Sequence, residues 1–391
     1  MPQHKNIPYG HQSIDAVDRQ AVAETLASEW ITQGPKIQEF EQALAKYCGA
    51  KYAVAVSSGT AALHLAALAG GLKKGDEAIT TPITFLATSN ALLYAGATPV
   101  FADIDEATGN IDPGQITKRI TRRTKAILPV HFGGLPARMK EIPKIARRHG
   151  LLIIEDAAHA LGAAYVHGAK VGSCRFSDMT VFSFHPVKNI TTGEGGAITT
   201  NRKDLYEKLK TLRSHGVIRS KQSQRQLGGW YYEMRELGFN YRITDFQCAL
   251  GLTQLRKLDS FIRKRQQVVR RYETAFKKLK EWIRVPAQKM DGEKHARHLY
   301  LLRLHTKRPM AHRRALYDAL KAAGIQSQVH YIPVYWQPFY RNFFRGEKIH
   351  CPNAERYYAG TLSLPLFPGL TTTEINRTIH AVQQFFLKGK L

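Results

Sequence analysis

The chain has 391 residues, 43% of them hydrophobic and 23% charged, and its 57 lysines and arginines against 31 acids give a formal net charge of +26. These are the proportions of a globular chain long enough to hold two domains; there is no repeat or low-complexity segment, and no apolar run approaches the roughly 20 residues a membrane span needs. Four cysteines (Cys48, Cys174, Cys248, Cys351) without CxxC spacing exclude a zinc-finger or disulfide framework. With no apolar signal-peptide core between Met1 and Gln12, they lead us to expect a cytoplasmic protein and no membrane partner. The basic excess, dense over 202–225, 263–271 and 308–314, invites a nucleic-acid reading. Against it, the basic residues alternate with apolar ones at helical spacing, as around Leu205, Leu209 and Leu212, and there is no RNP signature or basic tail. A solvated basic surface that could aid an anionic substrate is expected instead, with no nucleic-acid partner.

Residues 13–28 read as a first helix, with Ser13 as N-cap and Ile14, Val17, Ala21, Val22 and Leu26 as its apolar face. Residues 37–48 form a second, with Phe40, Leu44 and Tyr47 on one side and Gly49 as its stop. The strand 52–56 runs through Ser57-Ser58-Gly59-Thr60 into a helical stretch, 61–68. Strand, small turn, helix is the arrangement that presents backbone N–H groups to an anion, so Gly59 and Thr60 could hold a phosphate; capping of the helix by Ser58 or Thr60 would use the same residues. A strand at 78–81 precedes Phe85, either a stacking platform or a core ring, and a helix over 87–94. Strands follow at 98–101 and 126–130, then a helix over 139–149. A strand at 151–154 ends in Glu155-Asp156-Ala157-Ala158-His159, and a strand at 179–184 ends at His185-Pro186-Val187-Lys188. The strand 197–200 and the helix 203–213 close this half. Beyond Asn240-Tyr241-Arg242 a helix starts near Thr244, and 255–280 reads as a long basic amphipathic helix. After Pro286 and a polar hinge come a strand (298–304), a helix (313–323), the extended stretch 328–333 and a last helix, 373–386.

Alternating strands and helices from about 52 to 213 predict an α/β domain with a largely parallel sheet, whose ligands lie at the carboxyl ends of the strands. Ser58, Gly59, Thr60, Phe85, Asp156, His159, Ser183 and Lys188 all fall at or just past such ends. Pyridoxal phosphate needs an amine for a Schiff base, an anion for its ring nitrogen and a cup for its phosphate. Lys188, Asp156, and Ser58-Gly59-Thr60 with Ser183 could supply them. No metal site is expected.

The motifs Thr32-Gln33-Gly34, Ser58 to Leu63, Thr80 to Thr88, Glu155 to Gly162, Phe182 to Lys188, Gly193 to Gly196 and Asn240-Tyr241-Arg242 together make the chain resemble the DegT family of sugar-nucleotide aminotransferases, over essentially its whole length. Within it, Asn189 to Thr192, Arg213 to Gly216 and Gln328 to Tyr335 are similar to the branch serving pseudaminic acid biosynthesis. The resemblance implies a fold-type I pyridoxal-phosphate transferase. It would have a large domain (1–254) built on a mostly parallel seven-stranded sheet, with segment 1–35 at the active-site rim, and a smaller C-terminal α+β domain (255–391). It implies that Lys188 carries the cofactor, Asp156 pairs with its ring nitrogen, Phe85 stacks on the ring, and Ser58, Gly59, Thr60 and Ser183 bind its phosphate. His159 would lie beside the ring hydroxyl or ring face, where many relatives carry glutamine. Asn240 would complete the phosphate cup of the other subunit of a homodimer with shared sites. Arg242, His330, Tyr331 and Tyr9 would serve the nucleotide sugar. The implied reaction moves an amino group from L-glutamate to C4 of a UDP-4-keto-6-deoxy-N-acetylhexosamine by a ping-pong route. A dTDP- or GDP-linked keto sugar is the alternative. A catalytically silent regulatory paralogue is disfavoured by the intact Lys188, Asp156 and Ser58-Gly59-Thr60 set.

Overall fold

In the computed structural model, residues 6–286 and 292–387 are described; the expected polar hinge after Pro286 falls largely outside them. Strands β1 (Tyr52–Val56), β2 (Glu77–Thr80), β3 (Thr98–Phe101), β4 (Thr124–Leu128), β5 (Leu152–Asp156), β6 (Met179–Ser183) and β7 (Gly196–Thr200) build one sheet in the order β1-β7-β6-β5-β4-β2-β3. Only β7 runs against its neighbours, pairing antiparallel with both β1 and β6. The expected mostly parallel seven-stranded sheet is therefore present.

Its strands are apolar on both faces because both are covered. Ile153 and Ile154 show the division, the first turned to one core and the second to the other. One layer contains α1 (Ala16–Leu26), α2 (Pro35–Cys48), a helix α6 (Ile142–His149) and the head of α9 (Asp245–Phe276); α3 (Gly59–Ala69), α4 (Leu86–Tyr94) and α7 (Lys203–Arg213) form the opposite layer. A short α5 (Pro113–Thr117), a hairpin of β8 (Val217–Ile218) with β9 (Glu233–Met234), and α8 (Lys221–Leu227) lie in the connections. Gly49 and Gly150 close α2 and α6 in left-handed conformations, φ 79° and 63°, as the sequence predicts of glycine there.

Two expectations are corrected. Asp15, not Ser13, caps α1, through a capping box with Asp18. The expected apolar face of α1 is not the packed one: Val17 and Leu26 are exposed, while Asp18 is fully buried. Polarity turned the helix, because Asp18 meets Thr253, Gln254 and Lys257 on α9. Second, the two helical stretches read around Thr244 and from Leu255 are one helix. Thr244 caps α9 with Gln247 in a capping box, and the helix runs unbroken for 32 residues.

The head of α9 packs Cys248, Leu255 and Leu258 into the core of the large sheet; its tail packs Val268, Tyr272 and Phe276 into a second core. That core lies on an antiparallel sheet of β10 (Ile283–Arg284), β11 (Tyr300–Leu304) and β12 (Thr361–Leu364), with α10 (Pro309–Ala322) and α13 (Thr372–Leu387). Alternation along β11 turns Leu301 the other way, into a cluster with Ile83, Phe101, Phe132 and Tyr335 that joins the two sheets. Helices α11 (Pro338–Phe343) and α12 (Pro352–Gly360) flank this joint.

Candidate active site

The carboxyl ends of β5 and β6 open on a cavity of about 570 Å³ lined by Tyr9, Ser58, Gly59, Thr60, Phe85, Asp156, His159, Ser183, Lys188, His330 and Tyr331. Eleven residues singled out from sequence thus converge. Asn240 and Arg242 do not line it: Asn240 is exposed and bridges Ser214 beyond α7.

Each wall residue has a local cause. Ser58 caps α3, its hydroxyl accepting from the Ala61 N–H at 3.1 Å, so the capping reading of this serine holds. Gly59 is required by close approach: a Cβ there would lie 2.8 Å from the Ser183 Cβ, so any side chain would push α3 off the end of β6. Phe85 sits just ahead of α4 and leaves 58% of its surface open, which settles its reading as a ring facing the cavity rather than the core. The N-terminal segment arrives because Ile7 is fully buried and its backbone exchanges hydrogen bonds with Gly324 and Gln326; Tyr9 follows, its carbonyl accepting from the Leu366 N–H.

Asp156 is buried at the end of β5. One oxygen accepts from the Thr88 hydroxyl at 2.7 Å, the other from the Ala158 N–H at 3.1 Å. Thr84 in turn bonds Thr88 at 2.7 Å. Behind this carboxylate is a second, Glu155, on the opposite face of the strand. It is fully buried and accepts from His131, Ser177, Thr180 and Tyr165. Burial acts to raise the Glu155 pKa, but the hydrogen bonds from His131, Ser177 and Tyr165 outweigh it and hold the carboxyl below its ordinary value. His131 also donates its backbone N–H to the Asp156 carbonyl at 3.0 Å, so one residue pins both neighbours on β5.

Lys188 lies in the turn after β6, its N–H donating to the His185 carbonyl. Burial depresses its amine to about 8, against a partial opposing pull from Asp156. A substantial fraction is therefore neutral near physiological pH, as a Schiff-base lysine requires. Three buried histidines surround it. His159 is held well below its ordinary pKa by burial, Lys188 and His330, and its Nε2 shares a 3.2 Å hydrogen bond with the Tyr331 hydroxyl. Burial and Lys188 bring His330 to about 3, and its Nδ1 is 2.7 Å from the Ser363 hydroxyl. The third, His298, was not found from sequence, nor was Thr88; His298 reaches the cavity from the entry to β11 with its ring 4.4 Å from that of His159. The only signal was a pair of histidines, His295 and His298, directly ahead of an apolar run.

The pattern of the DegT/DnrJ/EryC1/StrS aminotransferase family matches residues 12–383. The chain is 43% identical to the spore coat polysaccharide biosynthesis protein SpsC of Bacillus subtilis over 393 aligned positions, covering all of both chains. It is 42% identical to the UDP-4-amino-4,6-dideoxy-N-acetyl-beta-L-altrosamine transaminase of Campylobacter jejuni, covering 92% of each. Among solved structures, Helicobacter pylori PseC, an aminotransferase involved in the biosynthesis of pseudoaminic acid, superposes with a TM-score of 0.90 at 35% identity, over 98% of this chain and 100% of that one. Spr1654 of Streptococcus pneumoniae, described as a sugar aminotransferase and solved in its PLP form, gives 0.89 at 30% identity, over 98% and 99%. The residues of the cavity fit pyridoxal phosphate: an amine of depressed pKa, a fixed carboxylate, a buried histidine whose Nδ1 has no protein partner, and a strand-to-helix turn whose glycine leaves no room for a side chain.

Proposed function

The chain belongs to the DegT/DnrJ/EryC1/StrS aminotransferase family, and from that premise we propose that it moves an amino group from L-glutamate to C4 of a UDP-4-keto-6-deoxy-N-acetylhexosamine, as a homodimer. That it is a pyridoxal-phosphate-dependent sugar aminotransferase follows from the family and its solved members. The carrying observation is the meeting of Lys188 and Asp156 in one cavity at neighbouring strand ends. The transaminase and PseC likenesses support the finer substrate. The likeness to a spore coat polysaccharide protein, at 43% against 42% for the transaminase, favours, as a second reading, a different nucleotide-linked keto sugar.

Bound, the cofactor supplies an aldehyde that takes up the amino group and a ring that withdraws electrons while its nitrogen stays protonated. In this reading Lys188 would hold the cofactor and, when its amine is free, would act as base and acid in turn toward the proton of the donor Cα. A pKa of about 8 suits both tasks. Asp156 would keep the ring nitrogen charged; Thr88 and the Ala158 N–H hold its carboxylate in place. Phe85 would cover a ring face, and His159, whose Nε2 bonds the Tyr331 hydroxyl, would stand beside the ring. The amides of Gly59 and Thr60, with Ser183, would bind the phosphate. Asn240, remote from its own cavity, would serve the partner's site, and Arg242 beside it the diphosphate. Tyr9, His330 and Tyr331 line the sugar side.

The test is a spectral half-reaction. The loaded protein is converted with L-glutamate to the amine form, the donor is removed, and candidate 4-keto sugar nucleotides are added singly. Return of the aldehyde-form absorbance with the UDP-linked 4-keto-6-deoxy-L-arabino-N-acetylhexosamine alone is the expected result. Return only with a dTDP- or GDP-linked sugar would replace the substrate and keep the reaction.

A further inference from the structure

Among the described residues, no arginine lines the cavity. Its one lysine is needed by the cofactor, and its acids, Asp156 and Glu194, repel anions. An amino acid donor nevertheless brings a carboxylate into this cavity, and a desolvated carboxylate requires hydrogen-bond donors. Four histidines line the wall. His185 stands exposed, His330 is committed to Ser363, and His159 bonds Tyr331 through Nε2, leaving its free Nδ1 to the cofactor ring. His298 is different. It is 95% buried, its backbone N–H is fixed on the Gly133 carbonyl at 3.0 Å, and among the described residues neither ring nitrogen has a protein hydrogen-bond partner. Buried polar groups left unpaired by the protein are uncommon and mark where a ligand supplies the partner.

Behind His298 sits a second unusual group. Arg265, on α9, is 1% exposed, donates to the His298 carbonyl at 3.2 Å and to the Leu366 carbonyl at 2.7 Å, and forms no ion pair among the described residues. Its Nε is also unpartnered. A buried guanidinium without a counter-ion is costly, and the cost falls when an anion enters nearby. The ring with the unpartnered nitrogen thus belongs to a residue whose backbone carbonyl is held by an uncompensated positive charge.

We propose that His298, backed by Arg265, binds the carboxylate of the amino donor. The assignment rests on the aminotransferase reading and deepens it, since no donor clamp is legible in the sequence. Glutarate, a dicarboxylate without an amine, is the probe. Titrated calorimetrically into the pyridoxal-phosphate-loaded protein, it binds wild type and binds His298→Phe about 10- to 100-fold more weakly, the range for loss of a hydrogen bond to a charged group. His298→Asn, which keeps an N–H, falls between. In single-turnover spectra, the loss in the L-glutamate half-reaction of His298→Phe exceeds its loss in the keto-sugar half-reaction at least tenfold. Equal glutarate affinity in the folded variant, or a loss that falls mainly on the sugar half, overturns the proposal while leaving the aminotransferase reading intact. If loaded wild type performs neither half-reaction, both are overturned. Should the variants not fold, a crystal structure of the loaded wild type with glutarate decides: a carboxylate oxygen within hydrogen-bond distance of His298 supports the assignment, and one seated elsewhere in the cavity refutes it.

Discussion

Replacing Lys188 by methionine should make the cofactor-free protein more stable. Burial takes the amine from its ordinary 10.5 to about 8. The unfolded chain therefore binds this proton more tightly than the folded one, and stability rises with pH between those values. Below about pH 8 the whole deficit is present; at 1.36 kcal/mol per pH unit it amounts to roughly 3 kcal/mol. Methionine has a similar length and no charge, so Lys188→Met removes the deficit. Urea unfolding of the two cofactor-free proteins, followed by far-UV circular dichroism, should place the variant roughly 2–3 kcal/mol above wild type at pH 7. The gap should narrow as the pH rises from about 8 and close only above 10.5, where the amine is neutral in both states. Equal stabilities at pH 7, or a gap that does not narrow with pH, would refute the claim that the cavity holds this amine at the expense of the fold. Loaded with cofactor, the same variant should have no transaminase activity.

Thr88→Val takes a 2.7 Å hydrogen bond from Asp156 and leaves its oxygen unpaired; cofactor affinity, followed by absorbance on dilution, should fall about tenfold. Gly59→Ala places a Cβ 2.8 Å from that of Ser183, and urea midpoints should report a loss of about 1–3 kcal/mol with weaker cofactor binding. Mixing Asn240→Asp subunits with Lys188→Ala subunits should restore activity in verified heterodimers, because one of the two sites then receives both intact residues; no restoration would count against an asparagine acting across the interface.

The strands of the large sheet were legible because each is a short apolar run closed by a turn, and six of the seven run parallel, with the candidate site residues gathered at one end. Lys188, Asp156, Ser183 and Gly59 could be found on that ground alone. His298 could not. Its place depends on β11 packing against the Gly133 turn, a contact 165 positions away along the chain, and nothing local distinguishes it from any histidine ahead of a strand. Thr88 was hidden for a related reason: a threonine in the first turn of a helix ordinarily bonds its own backbone, and only the approach of Asp156 gives it another role. Helix α1 misled in the opposite direction. Its apolar spacing was real, but Asp18 found three polar partners on α9, which turned Val17 and Leu26 outward.

Helix α9, about 48 Å long at 1.5 Å per residue, serves as a common wall for two cores. Severing the chain anywhere along it would strip the apolar stripe of each half from the helix that carries it, so neither fragment should be expressible as a folded piece. It also couples the melting of the two sheets: loosening one frees the turns that stiffen the other. Calorimetry should accordingly show one endotherm, and a ligand that grips only the large sheet should raise the melting temperature of the whole molecule.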